Sequence, residues 1–124
     1  KKQIGGLEGG AETVRIVGYI PADSIVKGLM DMVYGKQESR HYTRQIIVAY
    51  KQQDIGAISA LARAQLQGLT APLLDERNQR WVARMGDKMK TKQVFFAVGA
   101  GHLADSKGVI TLLRKAGYMV EAVR

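Results

Sequence analysis

A five-residue apolar run that ends in a glycine turn constrains the fold of this chain more than any other feature. Residues 94–98 include two phenylalanines and two valines, and they lie between Lys92 and Gly99. This length and composition are typical of a buried strand rather than a helix. The glycines of residues 99–101 can adopt backbone conformations closed to other residues, and they lead directly to His102. The run therefore predicts a strand that presents a histidine at its carboxyl end, where α/β sheets usually bind ligands.

Apolar periodicity and capping residues predict five helices in the rest of the chain. They are expected from Pro21 to Gly35, from about Ser39 to Gln52, from Asp54 to Gly68, from Leu73 to about Lys90, and from Asp105 to Gly117. Residues 3–8 and 118–122 carry strand patterns, and residues 11–19 fit either a strand or a helical turn. The expected fold class is therefore α/β, a helix-rich domain with a few-stranded sheet and a C-terminal strand-helix-strand (βαβ) unit with a right-handed crossover.

Length and composition bound the class of protein. The 124 residues suffice for one small core, so residues 1–124 are expected to form a single domain. No apolar run reaches the roughly eighteen residues of a membrane span, and no signal-peptide pattern opens the chain. The absence of cysteine excludes disulfides, thiolate nucleophiles and zinc-thiolate sites. Because the chain begins on two lysines without an initiator methionine, we expect it to be part of a longer protein.

The net charge of +8 raises the question of nucleic-acid binding. The basic residues of the fourth predicted helix form a stripe at helical spacing, namely Arg77, Arg80, Arg84 and Lys88. Such stripes are mostly solvated helix faces. Exposed aromatic residues do not interleave with this one, and the chain has neither a groove-binding helix pattern nor a zinc framework. The sequence therefore argues against nucleic acid as a dedicated partner.

The glycine turn also fits a dinucleotide-binding fingerprint. Residues 99–104 match the pattern G-x-G-x-x-A between a predicted strand and a predicted helix, and Glu121 follows about twenty residues later. Two features oppose this interpretation. The chain stops three residues after Glu121, and Asp105 would compete with a pyrophosphate for the N–H groups at the helix start. A tight turn with a hydrogen-bonded histidine is the simpler alternative.

Three further polar residues need an explanation. Glu8 follows a predicted strand and is flanked by glycines, which is a placement typical of a site. Asn78 lies on the apolar face of its helix with Trp81 and Met85, and a buried amide is costly unless it is hydrogen-bonded. Asn78 is either a structural residue whose amide is hydrogen-bonded within the core or part of a functional site. His41 follows Arg40 and is expected on the surface.

Several of these segments resemble the carboxyl-terminal half of the TraB/GumN family, to which the Tiki-type metalloproteases belong. The resemblance is strongest in residues 74–81, LDERNQRW, and in residues 95–103, FFAVGAGHL. It continues through the residue pairs 108–109 and 112–113 to residues 117–120, GYMV. Residues 6–8 are similar to the central strand of the family, which ends in a glutamate. The resemblance thus covers most of the chain.

The resemblance implies an α/β fold of two related halves, each of which contributes a G-x-x-H motif to one pocket. Residues 99–102 would be the second motif, with Gly99 and Gly101 in a cofactor-binding turn. The first motif is absent, because Glu38 takes the place of the glycine three residues before His41. The missing partner would be the amino-terminal half of the protein or a second copy of the chain. We therefore expect this chain alone to be inactive.

The resemblance also implies a chemistry. In the Tiki branch, the matching groups are proposed to serve a divalent metal and peptide hydrolysis. His102 and Glu8 would bind manganese, cobalt, iron or zinc, and metal-bound water would be the nucleophile. Glu8, Arg77 and Asn78 would be catalytic, with Glu8 as ligand or general base and the other two as oxyanion donors.

These implications leave three hypotheses for the function. The first hypothesis is a TraB/GumN-like metal-dependent hydrolase or peptidase that acts on a peptide or small molecule. The second is a non-catalytic ligand-binding or regulatory module of the same fold, and nucleotide binding through the glycine turn is a third. The family resemblance suggests a periplasmic or membrane-associated location.

Overall fold

Within residues 3–123, which the computed structural model describes except for the side chains of residues 36 and 67, the chain is helical and contains no strand. The six α-helices are α1 (Gly10–Val17), α2 (Ala22–Tyr34), α3 (Lys36–Lys51), α4 (Ile55–Leu66), α5 (Glu76–Met89) and α6 (Val109–Lys115). Short turns of 3-10 helix occupy Gln67–Leu69 and Ala100–His102, and one π-helical turn occupies Ala71–Asp75. No helix of this described part is long and apolar enough to cross a membrane.

The predicted helices are present, and their local signals explain most of their limits. Pro21 precedes α2 with φ −58°, and α2 ends before Gly35. Asp54 caps α4, because its Oδ1 accepts the N–H of Ala57 at 2.9 Å. Gly117 ends the α6 region in the left-handed region with φ +90°. The ambiguous residues 11–19 fall largely in helix α1.

The predicted sheet is wrong, and with it the α/β class and the βαβ unit. Residues 94–98 have no regular secondary structure, and the exposure of their side chains alternates as in an extended strand. Phe96 and Val98 pack on the core, whereas Phe95 is 92% exposed. However, a strand also requires a partner for its backbone N–H and C=O groups, and no backbone ladder joins the extended segments 3–8, 94–98 and 118–122 among the described residues. The alternation thus identified an extended backbone but could not supply the pairing.

Two helix starts also differ from the prediction. The fourth helix divides into the π-helical turn Ala71–Asp75 and α5, so Leu73 lies in the turn. The fifth begins at Val109 with Gly108 as its N-cap, instead of at Asp105. The residues from Asp105 to Gly108 form a loop instead, and side-chain contacts hold this loop in place.

The core lies between α5 and α6. Its buried members are Trp81, Val82, Met85 and Val109. Partly buried side chains close it from α5, α6 and two of the extended segments, namely Leu7, Met89, Phe96, Val98, Leu112 and Leu113. Helix α4 packs against the 3-10 turn Ala100–His102. The histidine therefore lies between α4 and α5, next to the tryptophan of the core.

Candidate functional site

His102 is oriented by the buried amide of Asn78. Asn78 is 1% exposed, and its Nδ2 donates to the carbonyl oxygens of Lys107 at 2.9 Å and His102 at 3.4 Å. These two bonds leave Oδ1 as the atom that faces the imidazole, and it lies 2.7 Å from His102 Nδ1. Because Oδ1 can only accept, the network assigns the proton to Nδ1 and the lone pair to Nε2. The site thus presents Nε2 as an acceptor or a metal ligand.

The imidazole also resists protonation. The pKa of His102 is lowered from 6.5 to about 4, mainly by burial and secondly by the nearby positive charge of Arg77, while the negative charge of Glu8 opposes both. His102 is therefore neutral at neutral pH. A neutral imidazole of such low basicity is suited to ligation or hydrogen-bond acceptance and poorly suited to carrying a proton.

Glu8 and Arg77 form a two-point ion pair beside the histidine. Arg77 Nε lies 2.8 Å from Glu8 Oε1, and Nη2 lies 3.0 Å from Oε2. Nη1 donates to the carbonyl of Leu73 at 3.0 Å, one turn earlier in the chain. The carboxylate is only 9% exposed. The hydrogen bonds from Arg77 outweigh burial and hold the pKa of Glu8 below its ordinary value, so this carboxylate is ionised.

Trp81 joins these two pairs. Its ring centre lies 4.5 Å from that of His102, with the rings tilted by 39°, and 4.8 Å from the guanidinium carbon of Arg77. The indole N–H is buried without a well-formed hydrogen bond among the described residues, yet it helps to lower the pKa of Glu8. Sequence reasoning assigned Trp81 to the core alone. The spacing of Arg77, Asn78 and Trp81 on one helix was the signal that it also forms a wall of the site.

Three members of the basic stripe of α5, Arg77, Arg80 and Arg84, form ion pairs, whereas the sequence suggested a solvated face. Glu12 lies 2.8 and 3.0 Å from the terminal nitrogens of Arg84, and 3.2 Å from Nε of Arg80. Together with the pair of Arg77 and Glu8, these contacts fasten the amino-terminal segment along α5. Glu8 and Glu12 are four residues apart, which is also close to the spacing of the arginines along α5. This pattern could have predicted the ion pairs. A shallow groove of about 500 Å³ opens beside Glu8 along this seam.

The structure brings together Glu8, Arg77, Asn78 and His102, which are four of the six predicted site residues. The two glycines lie in the turn that carries His102. Gly99 caps the 3-10 turn in an extended conformation, and a Cβ on Gly101 would lie 3.4 Å from the Ala62 side chain in α4. The turn therefore packs against α4 at Gly101, with room for a Cβ at ordinary contact distance.

His41 lies elsewhere, as its expected surface role requires. It lines an apolar groove of about 600 Å³ between α3 and α4, and that groove contains none of the six predicted site residues.

The context of the dinucleotide fingerprint is absent from residues 3–123. The extended segment before the glycine turn belongs to no sheet, and α6 begins only at Val109. The helix N-terminus therefore does not follow the turn directly, as pyrophosphate binding would require. Asp105 is occupied by an ion pair with Arg63, whose Nε lies 2.6 Å from its Oδ2.

The described residues do not by themselves fit a metal ion. They contain no group of three or more histidine, cysteine, aspartate or glutamate side chains that could hold one. His102 offers one free nitrogen, and both oxygens of Glu8 already accept from Arg77. A complete metal centre would need ligands from outside the described part of the chain.

Comparison with known proteins gives one match. The sequence model of the TraB/PrgY/gumN family matches residues 1–122, which confirms the resemblance seen in the sequence. Neither the curated proteins nor the solved structures include a match to this chain.

Proposed function

This chain belongs to the TraB/PrgY/gumN family, and from that premise we propose that it carries half of a metal-dependent hydrolase site. In this proposal, His102 offers Nε2 to a divalent metal whose remaining ligands come from outside the described residues. The observation that carries the proposal is the fixed tautomer. Asn78 holds the proton on Nδ1, and burial keeps the ring neutral. An imidazole ligand needs both conditions, since a bound metal requires a neutral ring and a defined donor nitrogen.

The other residues support the histidine rather than react themselves. All polar atoms of the Asn78 side chain are engaged, so we assign it to orienting the imidazole instead of stabilising an oxyanion. Arg77 is likewise committed to Glu8 and to Leu73. Glu8 places an ionised carboxylate near His102, but the positive charge of Arg77 acts on the imidazole more strongly than that carboxylate does. Binding of a cation would therefore depend on anionic ligands from outside the described residues.

A borderline nitrogen ligand suits manganese, cobalt, iron or zinc. When bound, such an ion would supply a nucleophilic water for hydrolysis. The substrate would be a peptide or a small molecule, the classes that the family resemblance suggests. The groove of about 500 Å³ is lined by Glu8 and not by His102, so it does not contain the proposed metal ligand. The partner that completes the site would be the other half of a longer protein or a second copy of this chain.

A non-catalytic ligand-binding or regulatory module is the second candidate. One observation favours it. Both oxygens of Glu8 accept hydrogen bonds from Arg77, so the described site contains no free carboxylate that could serve as general base.

Metal analysis of the purified full-length protein tests the proposal. We expect a stoichiometric transition metal in the wild type, loss of most of it in His102→Ala, and retention in His41→Ala, which removes the other histidine. A wild type without metal after growth and dialysis in supplemented buffer would favour the regulatory module. Equal metal content in both variants would show that His102 is not a metal ligand.

A further inference from the structure

A second polar cluster fastens the loop that follows His102. Arg63 of α4 contacts two carboxylates at once, with Nη2 at 2.7 Å from Asp75 Oδ1 and Nε at 2.6 Å from Asp105 Oδ2. Lys107 Nζ lies 3.2 Å from the second oxygen of Asp75. We call these four residues the Arg63 cluster. It connects α4, the start of α5 and the loop at residues 103–108.

The inner half of this cluster is shielded from water. The side chain of Asp75 is 9% exposed and that of Arg63 is 21% exposed. A buried carboxylate is costly unless cations compensate it, and here two cations do so. Removal of Arg63 would leave Asp75 with Lys107 as its main cationic partner. The loop would lose its ion pair with α4 and keep the longer hydrogen bond that Ser59 Oγ donates to the carbonyl of Ala104 at 3.5 Å.

The loop itself is tightly folded and depends on such ties. Asp105 has φ +89°, which is unfavourable for a residue with a side chain. A Cβ on Gly108 would lie 2.1 Å from the carbonyl oxygen of Ala104, so the chain turns back closely on itself. The N–H of Ile110 donates to the carbonyl of Leu103 at 3.2 Å and closes the loop.

Lys107 links the cluster to the imidazole. Its Nζ is bound by Asp75, and its carbonyl oxygen accepts from Asn78 Nδ2 at 2.9 Å. That bond, together with the longer one from Nδ2 to the carbonyl of His102 at 3.4 Å, fixes which way the Asn78 amide points. The amide oxygen in turn receives the Nδ1 proton of His102. The carbonyl of Lys107 thus accepts the shorter of the two bonds that set the tautomer of the histidine.

We infer that Arg63, through its contacts with Asp75 and Asp105, is a positioning residue that holds the loop at residues 103–108, and through Lys107 and Asn78 fixes His102 with its Nε2 free. The consequence for metal binding rests on the proposed function, whereas the effect on His102 itself does not. Residues that orient a metal ligand from a distance typically change metal affinity about 10- to 100-fold when they are replaced.

Nitrogen NMR of the full-length protein with ¹⁵N-labelled histidine tests this inference at pH 7 without any metal. In the wild type, we expect His102 to show a protonated Nδ1 and an unprotonated Nε2. Arg63→Met should give a mixture of tautomers. Arg63→Lys can contact one carboxylate but not both. Its tautomer mixture should therefore lie between those of the wild type and Arg63→Met. The signals of His41 provide an internal reference.

Two further variants keep the result interpretable. Asp105→Asn removes only the outer carboxylate, and asparagine tolerates a positive φ, so this variant should fold and show a partial tautomer mixture. Lys27→Met breaks an exposed ion pair of 2.8 Å in α2 and should leave His102 unchanged. Circular dichroism checks the fold of each variant.

The inference is overturned if folded Arg63→Met or Asp105→Asn has the wild-type His102 signals, or if Lys27→Met alters them equally. A wild type that fails to bind metal would count against the proposed function alone, because the tautomer is measured in the metal-free protein.

Discussion

At the scale of single residues, the site depends on one amide whose hydrogen bonds are all assigned. Asn78 is nearly fully buried and contacts both ends of the loop that carries His102. Since its donors satisfy two backbone carbonyls, its oxygen has only the imidazole to accept from. An asparagine buried on the apolar face of a helix thus sets the tautomer of the histidine that it contacts.

The low proton affinity of His102 makes stability depend on pH. Its pKa is about 4 in the folded protein and 6.5 for an unperturbed histidine in the unfolded chain, so between these pH values the unfolded state binds more protons. The free energy of unfolding should therefore fall as the pH falls from 6.5 to 4. Urea denaturation at several pH values measures this decline.

The variant His102→Gln should show a shallower decline over the same pH range. Glu8, whose pKa is also lowered by Arg77, contributes stability that is lost only at lower pH, as its carboxylate becomes protonated. A slope between pH 6.5 and 4 that is identical in His102→Gln and wild type would show that His102 is not buried as described.

At the scale of elements, the 3-10 turn and the loop after it bring the site residues together. Helix α5 supplies Arg77, Asn78 and Trp81 from one face, and the loop at residues 103–108 delivers carbonyl acceptors to that face. The arrangement requires the chain to fold back closely before α6 begins. Gly108 is the residue that makes this possible.

A matched pair of glycine substitutions tests the role of the loop. Gly108→Ala would place a Cβ 2.1 Å from a backbone oxygen, so it should destabilise the protein by more than about 2 kcal/mol. Gly28→Ala, in the middle of α2 with open space around it, should instead stabilise by about 0.5–1 kcal/mol. Thermal unfolding of both variants measures the difference, and equal midpoints would contradict the description of the loop.

The sequence predicted the elements with local signals well and the tertiary pairing poorly. Caps such as Asp54 and the apolar face of Trp81 and Met85 are encoded within a few residues, so the helices could be predicted. Strand pairing depends on distant partners, so the alternation at residues 94–98 predicted a sheet that the described residues do not form. The ion pair of Arg63 and Asp75 was not predicted. The two residues are twelve positions apart, and no local sequence pattern indicates that they pair.

At the scale of the whole molecule, large apolar surfaces remain uncovered. Helix α2 has no buried residue, and its apolar stripe of Ile25, Leu29, Met32 and Val33 is 46% to 69% exposed. Exposed apolar side chains outside the helices add Ile4, Phe95, Met119 and Val123, each at least 88% exposed. Apolar surface exposed to this extent is typical of an interaction site.

The 124-residue chain by itself should therefore self-associate. The double variant Leu29→Glu and Met32→Glu should lower the average mass in sedimentation equilibrium, because it places charge on the α2 stripe. The pair Gln37→Glu and Gln65→Glu adds the same charge at exposed polar positions and serves as control. A monomeric wild type, or equal effects of the two pairs, would contradict this prediction.

The central claim is that this TraB/PrgY/gumN chain presents Nε2 of His102 as a ligand while Asn78 retains the Nδ1 proton. Addition of Zn²⁺ to full-length protein with ¹⁵N-labelled histidine tests this most directly. We expect the Nε2 signal of His102 to shift on binding, Nδ1 to stay protonated, and the His41 signals to be unaffected. Signals of His102 that remain unchanged at saturating Zn²⁺, or loss of the Nδ1 proton, would contradict it.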